Sequence, residues 1–190
     1  MCSNPESGGA LFRPILIAAP LAIRRSNNTL PPAARVLYRA AMTDEQTKPV
    51  TGGCLCGDIR YEYRGAPTKI LHCHCESCRR HASSPITTFV CVPGESFRYL
   101  SGNPVAYASS PGVTRTHCGR CGSPISYTSD RNTQVDLYIG TLDDPAAAVP
   151  EYHANVAEQL PWFETHDALP RYARGKKDNT PLRVGPRESK

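Results

Sequence analysis

The sequence has no apolar run of the roughly 20 residues that a membrane-spanning helix needs. Aromatic residues make up only 7% of the chain, with a single Trp and two Met. Mean hydropathy is −0.41. These scarcities argue against a membrane protein and predict a modest hydrophobic core, which bound metal ions would help to stabilise.

Positive charge is scarce in the centre of the chain. Residues 43–170 contain ten Lys/Arg and fourteen Asp/Glu, although the whole chain has a net charge of +5. A nucleic-acid-binding face needs clustered Lys and Arg to neutralise phosphates. The mildly acidic centre therefore argues against nucleic acid as a partner of the folded part.

The two ends of the chain differ from its centre. Residues 1–42 are rich in Arg and poor in acidic residues, as organelle transit peptides are, although Met42 is an alternative start. Residues 171–190 contain seven Lys/Arg and two Asp/Glu. We expect an N-terminal extension over 1–47, one zinc domain over 48–170 and a basic disordered tail over 171–190. The expected location is cytoplasmic, or mitochondrial if residues 1–42 are a transit peptide.

Short β-strands and turns dominate the pattern of the central segment. Val, Ile, Thr and Tyr alternate or cluster between Gly- and Pro-rich turns, which is typical of strands. A short helix is predicted after Cys75 and another near Pro145–Ala148. The fold class is therefore mainly β, with the following candidate strands: Asp58–Arg64, Pro85–Pro93, Phe97–Leu100, Val105–Ala108, Val113–His117, Ile125–Thr128 and Val135–Thr141.

Seven of the nine cysteines lie in three tight clusters. Cysteines one or two residues apart are poorly placed to bridge each other but well placed to hold one metal ion. A disulfide framework is disfavoured, because the cysteine count is odd and the domain is not small. The clustered residues are Cys54 and Cys56, then Cys73, Cys75 and Cys78, then Cys118 and Cys121.

The seven cysteines divide into a set of four and a set of three. Two pairs, at 54/56 and 118/121, suit a closed structural zinc site. The remaining three thiolates resemble a catalytic zinc site with one open position, which a soft ligand such as a small thiol would fill. A histidine could close it instead, and the candidates are His72, His74, His81 and His117. We therefore predict two zinc ions per chain, one structural and one in an active site.

Other uses of the cysteines are less well supported. Cys91 lies in the apolar run Phe89–Val92 and is predicted to be a core residue. Cys2 lies in the N-terminal extension. A redox role for Cys118 and Cys121 is a weaker alternative, because their Gly/Pro-rich turn does not start a helix that would lower a thiol pKa.

These motifs resemble those of the glutathione-dependent formaldehyde-activating enzyme family, which also contains centromere protein V. The similarity covers about residues 50–170. It differs from the family pattern at Ser83-Ser84, where members usually carry a Gly. The segments that carry the resemblance are Gly52–Gly57, Ile59–Tyr61, Cys73–Arg79, His117–Pro124, His153, Trp162 and Asp167–Pro170.

The resemblance implies a β-tent of antiparallel strands built around zinc, with the structural ion on Cys54, Cys56, Cys118 and Cys121. It implies an active-site zinc on Cys73, Cys75 and Cys78. The implied activity is that of a carbon–sulfur lyase, with glutathione as the thiol and formaldehyde as a possible small aldehyde. Arg79, Arg80 or His74 would orient a carboxylate or shuttle a proton. The alternative is a non-catalytic zinc-binding interaction module that resembles centromere protein V.

Overall fold

A computed structural model of the chain describes residues 48–176 and 181–186. The predicted extension over 1–47, including Cys2, and part of the predicted tail lie outside these residues. No helix in the described part of the chain is long and apolar enough to cross a membrane.

The described residues are mainly β, as the sequence predicts. They form one α-helix, α1 (Glu76–Ala82), several short 3₁₀ turns and twelve strands. The strands are β1 (Val50–Gly53), β2 (Arg60–Tyr63), β3 (Lys69–Cys73), β4 (Thr87–Pro93), β5 (Phe97–Ser101), β6 (Val105–Ser110), β7 (Val113–His117), β8 (Pro124–Ser129), β9 (Gln134–Tyr138), β10 (Tyr152–Ala154), β11 (Pro170–Arg171) and β12 (Arg183–Val184).

The strands make two sheets. One has three antiparallel strands in the order β1-β2-β5. The other has nine strands in the order β12-β11-β10-β3-β4-β9-β8-β7-β6. Its pairs are antiparallel except that β10 runs parallel to both β3 and β11. The sheet is therefore mixed, and its parallel part brings residues 152–154 beside 71–73.

Buried apolar side chains form two clusters. The larger contains Ile59, Tyr61 and Leu137 together with Cys54 and Cys118. The smaller surrounds Cys73 and Cys78 and includes Phe89, Tyr138 and Tyr152, among others. Each predicted cysteine site therefore borders its own apolar cluster, which keeps water away from one side of the sulfur atoms.

Most predicted elements form, with changes at their ends. Val113–His117 is a strand with the predicted bounds, and a helix does follow Cys75. The predicted strand Val135–Thr141 ends at Tyr138, where the chain turns into a 3₁₀ turn. The second predicted helix is only a 3₁₀ turn, Pro145–Ala147. Strands β1, β3 and β10 to β12 were not predicted. Half of β1 is Gly, β10 to β12 have only two or three residues each, and β3 runs directly into the cysteine motif.

The start of the predicted tail is part of the folded sheet. Arg171 lies in β11, is fully buried and pairs with Asp167. Tyr172 is also buried, and its amide donates a 2.8 Å hydrogen bond to the carbonyl of His153. These buried contacts attach residues 171 and 172 to β10.

Candidate metal centres and the adjoining cavity

The first centre is built from two turns that lie far apart in the sequence. The Sγ atoms of Cys54, Cys56, Cys118 and Cys121 all lie within 4.8 Å of one another. The Cys54 and Cys56 sulfurs are 3.5 Å apart, and those of Cys56 and Cys118 are 3.8 Å apart. Four thiolates about 2.3 Å from a tetrahedral zinc would be separated by about 3.8 Å. The donor set and its spacing therefore fit a zinc ion held by four thiolates.

A glycine closes each of these two turns. The amides of Gly57 and Gly122 donate to the carbonyls of Cys54 and Cys118, at 3.0 and 2.9 Å. Both glycines have positive φ, +79° and +76°, a conformation that L side chains rarely adopt. The Gly that follows the second cysteine in each motif is thus what folds the chain back toward the metal position.

Polar hydrogens near two of these sulfurs, those of Cys54 and Cys121, favour the thiolate form. The amide of Ile59 donates to Cys54 Sγ at 3.2 Å. A hydrogen bond with Ser123, whose Oγ lies 3.3 Å from Cys121 Sγ, lowers the pKa of that thiol to about 5. Such contacts orient metal ligands and stabilise their charge.

The second centre is formed by one turn at the end of β3 and the start of α1. The Sγ atoms of Cys73, Cys75 and Cys78 lie within 4.8 Å of one another. Cys75 is the N-cap of α1, and its sulfur accepts a 3.4 Å hydrogen bond from the amide of Cys78. The helix start thus fixes the relative positions of Cys75 and Cys78, while the end of β3 supplies Cys73.

The three sulfurs share protons unequally. Hydrogen bonding to Cys73 and Cys78 lowers the pKa of Cys75 to about 2. The same contact with Cys75 raises the pKa of Cys73. Cys75, which is the least buried of the three, therefore carries the first negative charge of the cluster.

Two side chains from other strands donate to this cluster. Arg115 Nη2 lies 3.5 Å from Cys78 Sγ, and Asn155 Nδ2 lies 3.4 Å from Cys73 Sγ. The Arg115 side chain comes from β7 and is buried. Donors of this kind offset the negative charge that three thiolates bring to one metal ion. The sequence analysis missed both residues, although an Arg at the centre of the predicted strand Val113–His117 was a usable signal.

None of the four candidate histidines joins the three sulfurs. Within the described residues, the cluster contains no His nitrogen or carboxylate oxygen within 4.8 Å of all three atoms. His72 bonds Thr88 Oγ1 at 2.8 Å, and His81 Nδ1 bonds the Tyr138 hydroxyl at 2.7 Å. His117 lies at the end of β7, where it pairs with Val105 of β6 and Pro124 of β8.

The side chain of His74 forms its hydrogen bond with His153 and not with the cysteine cluster. It is fully buried, and its Nε2 lies 2.9 Å from Nδ1 of His153. The other ring nitrogen of His153, Nε2, lies 3.0 Å from the Asp167 carboxylate. Burial and the neighbouring His153 lower the pKa of His74 to about 4, so the ring is neutral near pH 7. This arrangement ties the cysteine turn to the C-terminal strands.

The two arginines beside Cys78 point in different directions. Arg79 Nε donates to the carbonyl of His74 at 3.0 Å, and its Nη2 donates to that of Glu158 at 3.2 Å. Arg80 pairs with Glu76 at 2.8 Å on the exposed side of α1 and also lines the cavity described next. Arg79 therefore stabilises the turn through backbone contacts, and of these two arginines only Arg80 lines the cavity.

A cavity of about 1000 Å³ opens beside the second centre. All three cysteines of that centre line it, and so do Arg115, Tyr127, Tyr152 and Asn155. Its lining also includes the charged residues Lys69, Arg80, Asp136, Glu151 and Lys176. The volume suits a ligand of tripeptide size, since small-molecule sites usually occupy about 300–1,000 Å³. A ligand here would lie in a cavity lined by both the three sulfurs and charged side chains.

Two known proteins are similar to parts of this chain. A protein of Schizosaccharomyces pombe (strain 972 / ATCC 24843) named "Uncharacterized lyase" is 36% identical over 83 residues, which are 43% of this chain. The match spans 60% of that relative's length. A crystal structure of a Rhodobacter sphaeroides protein is similar with a TM-score of 0.43 and 19% identity, over 49% of this chain and 87% of that one.

A family comparison covers the whole cysteine-bearing segment. The family model described as glutathione-dependent formaldehyde-activating enzyme matches residues 49–158, which include all seven clustered cysteines. The match extends over more than half of the chain and confirms the resemblance drawn from the motifs. The chain therefore belongs to the glutathione-dependent formaldehyde-activating enzyme family.

Proposed function

We propose that this protein is a zinc-dependent carbon–sulfur lyase that acts on the adduct of a small thiol and an aldehyde, such as S-hydroxymethylglutathione. The observation that carries the proposal is the second centre, where three cysteine sulfurs converge at the wall of a ligand-sized cavity. Membership of the family and similarity to a protein named as a lyase support the same reaction class.

Two zinc ions would serve different purposes in this proposal. The set at Cys54, Cys56, Cys118 and Cys121 would close a structural site that joins the turn after β1 to the β7–β8 connection, within a β-tent fold. Such a site adds its binding free energy to folding. The set at Cys73, Cys75 and Cys78 would hold the active-site ion. When bound there, zinc supplies an open position that lowers the pKa of a thiol and keeps it as a thiolate.

The residues of the chain would bind and orient the rest of the thiol. Lys69, Arg80 and Lys176, which line the cavity, would attract the carboxylates of a ligand such as glutathione. Asp136 and Glu151, which also line it, would attract its ammonium group. Arg115 and Asn155 would hold Cys78 and Cys73 in place through the hydrogen bonds already described.

Titration of glutathione into the zinc-loaded protein by calorimetry tests the proposal. We expect saturable binding by the wild-type protein. The Cys75→Ser variant should not bind glutathione and should contain one zinc ion fewer per chain. Cys121→Ser is the matched control: it should also lose one ion, from the structural centre, while the remaining folded protein still binds glutathione. Absence of binding to fully metallated wild-type protein would refute the proposal and favour the interaction module.

Nuclear magnetic resonance can then measure the reaction. Exchange between S-hydroxymethylglutathione and its components, glutathione and formaldehyde, should be faster with the wild-type protein than with Cys75→Ser. Equal exchange rates with and without the wild-type protein would refute the lyase activity on this adduct, even if glutathione binds.

A further inference from the structure

A chain of hydrogen bonds leads from the second centre to a histidine on the cavity wall. Arg115 Nη2 contacts Cys78 Sγ, and Arg115 Nη1 donates to the Tyr138 hydroxyl at 2.9 Å. The same hydroxyl lies 2.7 Å from His81 Nδ1. His81 lines the cavity beside Cys78 and is partly exposed to it, whereas Arg115 and Tyr138 are buried.

The direction of these bonds fixes which nitrogen of His81 carries the proton. Arg115 is always a donor, so the Tyr138 oxygen accepts from it. Burial raises the pKa of Tyr138, so the phenol keeps its hydrogen and donates it to His81 Nδ1. Nδ1 is therefore the acceptor, and the ring proton of neutral His81 sits on Nε2.

The charged surroundings keep His81 neutral. Burial lowers its pKa, and so do Arg115 and His117, which approach from β7. Tyr138 faces it from β9, and Arg80 is its neighbour on α1. The sulfur atoms of the second centre line the same cavity, but the pKa of His81 is lowered all the same, so the neutral ring predominates at neutral pH.

We infer that the Nε2–H of His81 is the hydrogen-bond donor for the aldehyde oxygen in the reaction centre, with Tyr138 and Arg115 as positioning residues. The inference rests on the proposed function. In the condensation direction the thiolate sulfur attacks the carbonyl carbon and a C–S bond forms. The π electron pair of the carbonyl group moves to its oxygen, and this oxygen takes a proton from water. The proton of the thiol was released to solvent when the thiolate formed. His81 stabilises the negative charge that develops on that oxygen.

The variant His81→Ala tests the donor. Removing one such donor typically costs about 10²–10³ in rate, so exchange of S-hydroxymethylglutathione should slow by about that factor. Zinc content and glutathione affinity should stay at wild-type values, because His81 belongs to neither cysteine set. His81→Gln, which keeps an N–H near the position of Nε2, should retain more activity than His81→Ala. The exposed His166→Ala is the matched control and should behave as wild type.

A second measurement separates positioning from general stability. In ¹⁵N-labelled wild-type protein, His81 should show the Nε2–H tautomer, and Tyr138→Phe should give a mixture of tautomers with an intermediate rate. A wild-type rate in His81→Ala, or an Nδ1–H tautomer in the wild type, would overturn the inference but leave the proposed function intact. A wild-type protein that neither binds glutathione nor accelerates exchange would overturn both.

Discussion

Asp167→Asn should be one of the most damaging conservative substitutions at the C-terminal end of the fold. Arg171 is fully buried, and its Nη1 donates to Asp167 Oδ1 at 3.0 Å. The amide of Leu169 donates to the same oxygen at 3.0 Å, and His153 Nε2 lies 3.0 Å from Oδ2. Asparagine keeps the shape and one acceptor oxygen but removes the charge that faces the buried guanidinium.

The magnitude follows from burial. Breaking a fully buried ion pair costs about 3–5 kcal/mol, but the Asp167 side chain is 33% exposed and Arg171 has other acceptors. We therefore expect a loss of about 2–3 kcal/mol in the free energy of unfolding. At about 4 °C per kcal/mol for a domain of this size, Tm should fall by about 8–12 °C.

Urea unfolding of the zinc-loaded protein, followed by circular dichroism, measures this loss. The matched control is Asp143→Asn, which removes the same charge from an Asp–Arg pair. Asp143 and its partner Arg60 are 45% and 37% exposed, so this change should cost less than about 1 kcal/mol. Equal losses in the two variants, or a loss below about 1 kcal/mol for Asp167→Asn, would refute the reasoning.

The same pair predicts a pH dependence. Burial alone would raise the pKa of Asp167, but hydrogen bonds from Leu169, Thr165, His153 and Arg171 lower it below its ordinary value of 3.8. A carboxyl with a depressed pKa stabilises the fold above its unfolded pKa and loses that contribution as pH falls through the folded pKa. The stability gap between wild type and Asp167→Asn should therefore be full at pH 7 and shrink below about pH 4.

Four further substitutions test local features. Ser83→Gly should stabilise the protein by about 0.5–1 kcal/mol, because Ser83 ends α1 in the left-handed conformation, with φ +50°, which Gly adopts without strain. Ser84→Gly should instead destabilise it, because the 2.7 Å hydrogen bond from the Ser84 hydroxyl to the carbonyl of Ile86 is lost. Gly52→Ala should cost several kcal/mol in chemical denaturation, because the new Cβ would lie 2.4 Å from the Tyr61 hydroxyl and a backbone oxygen. Cys91→Ala should lower Tm by a few degrees yet leave the zinc content unchanged, since Cys91 is buried outside both sulfur clusters.

Each of these tests has a result that would contradict its premise. A loss of stability in Ser83→Gly would mean that the left-handed conformation is not strained. A Gly52→Ala protein as stable as wild type would show that β1 can move away from Tyr61. A drop in metal content in Cys91→Ala would place that thiol at a metal ion.

The sequence by itself determined the local parts of the site. The spacing of the cysteines, and the Gly that follows Cys56 and Cys121, encode tight turns whose sulfurs converge, because neighbouring residues on a turn cannot lie far apart. Short runs rich in β-branched residues between Gly- and Pro-rich turns, such as Val113–His117, were predictable as strands because these signals are also local. The family match depends on these same local motifs.

Only the tertiary structure decided which distant groups meet. The number of zinc ligands suggested that the cysteines at 54 and 56 pair with those at 118 and 121. The contacts of His74, Arg115 and Asn155 instead follow from the order and register of the strands, which no short motif contains. His74 contacts His153 because β10 lies parallel to β3, and Arg115 of β7 contacts Cys78 of α1. Such contacts join residues 37 to 82 positions apart, and they depend on the packing of the whole domain rather than on the residues around each one.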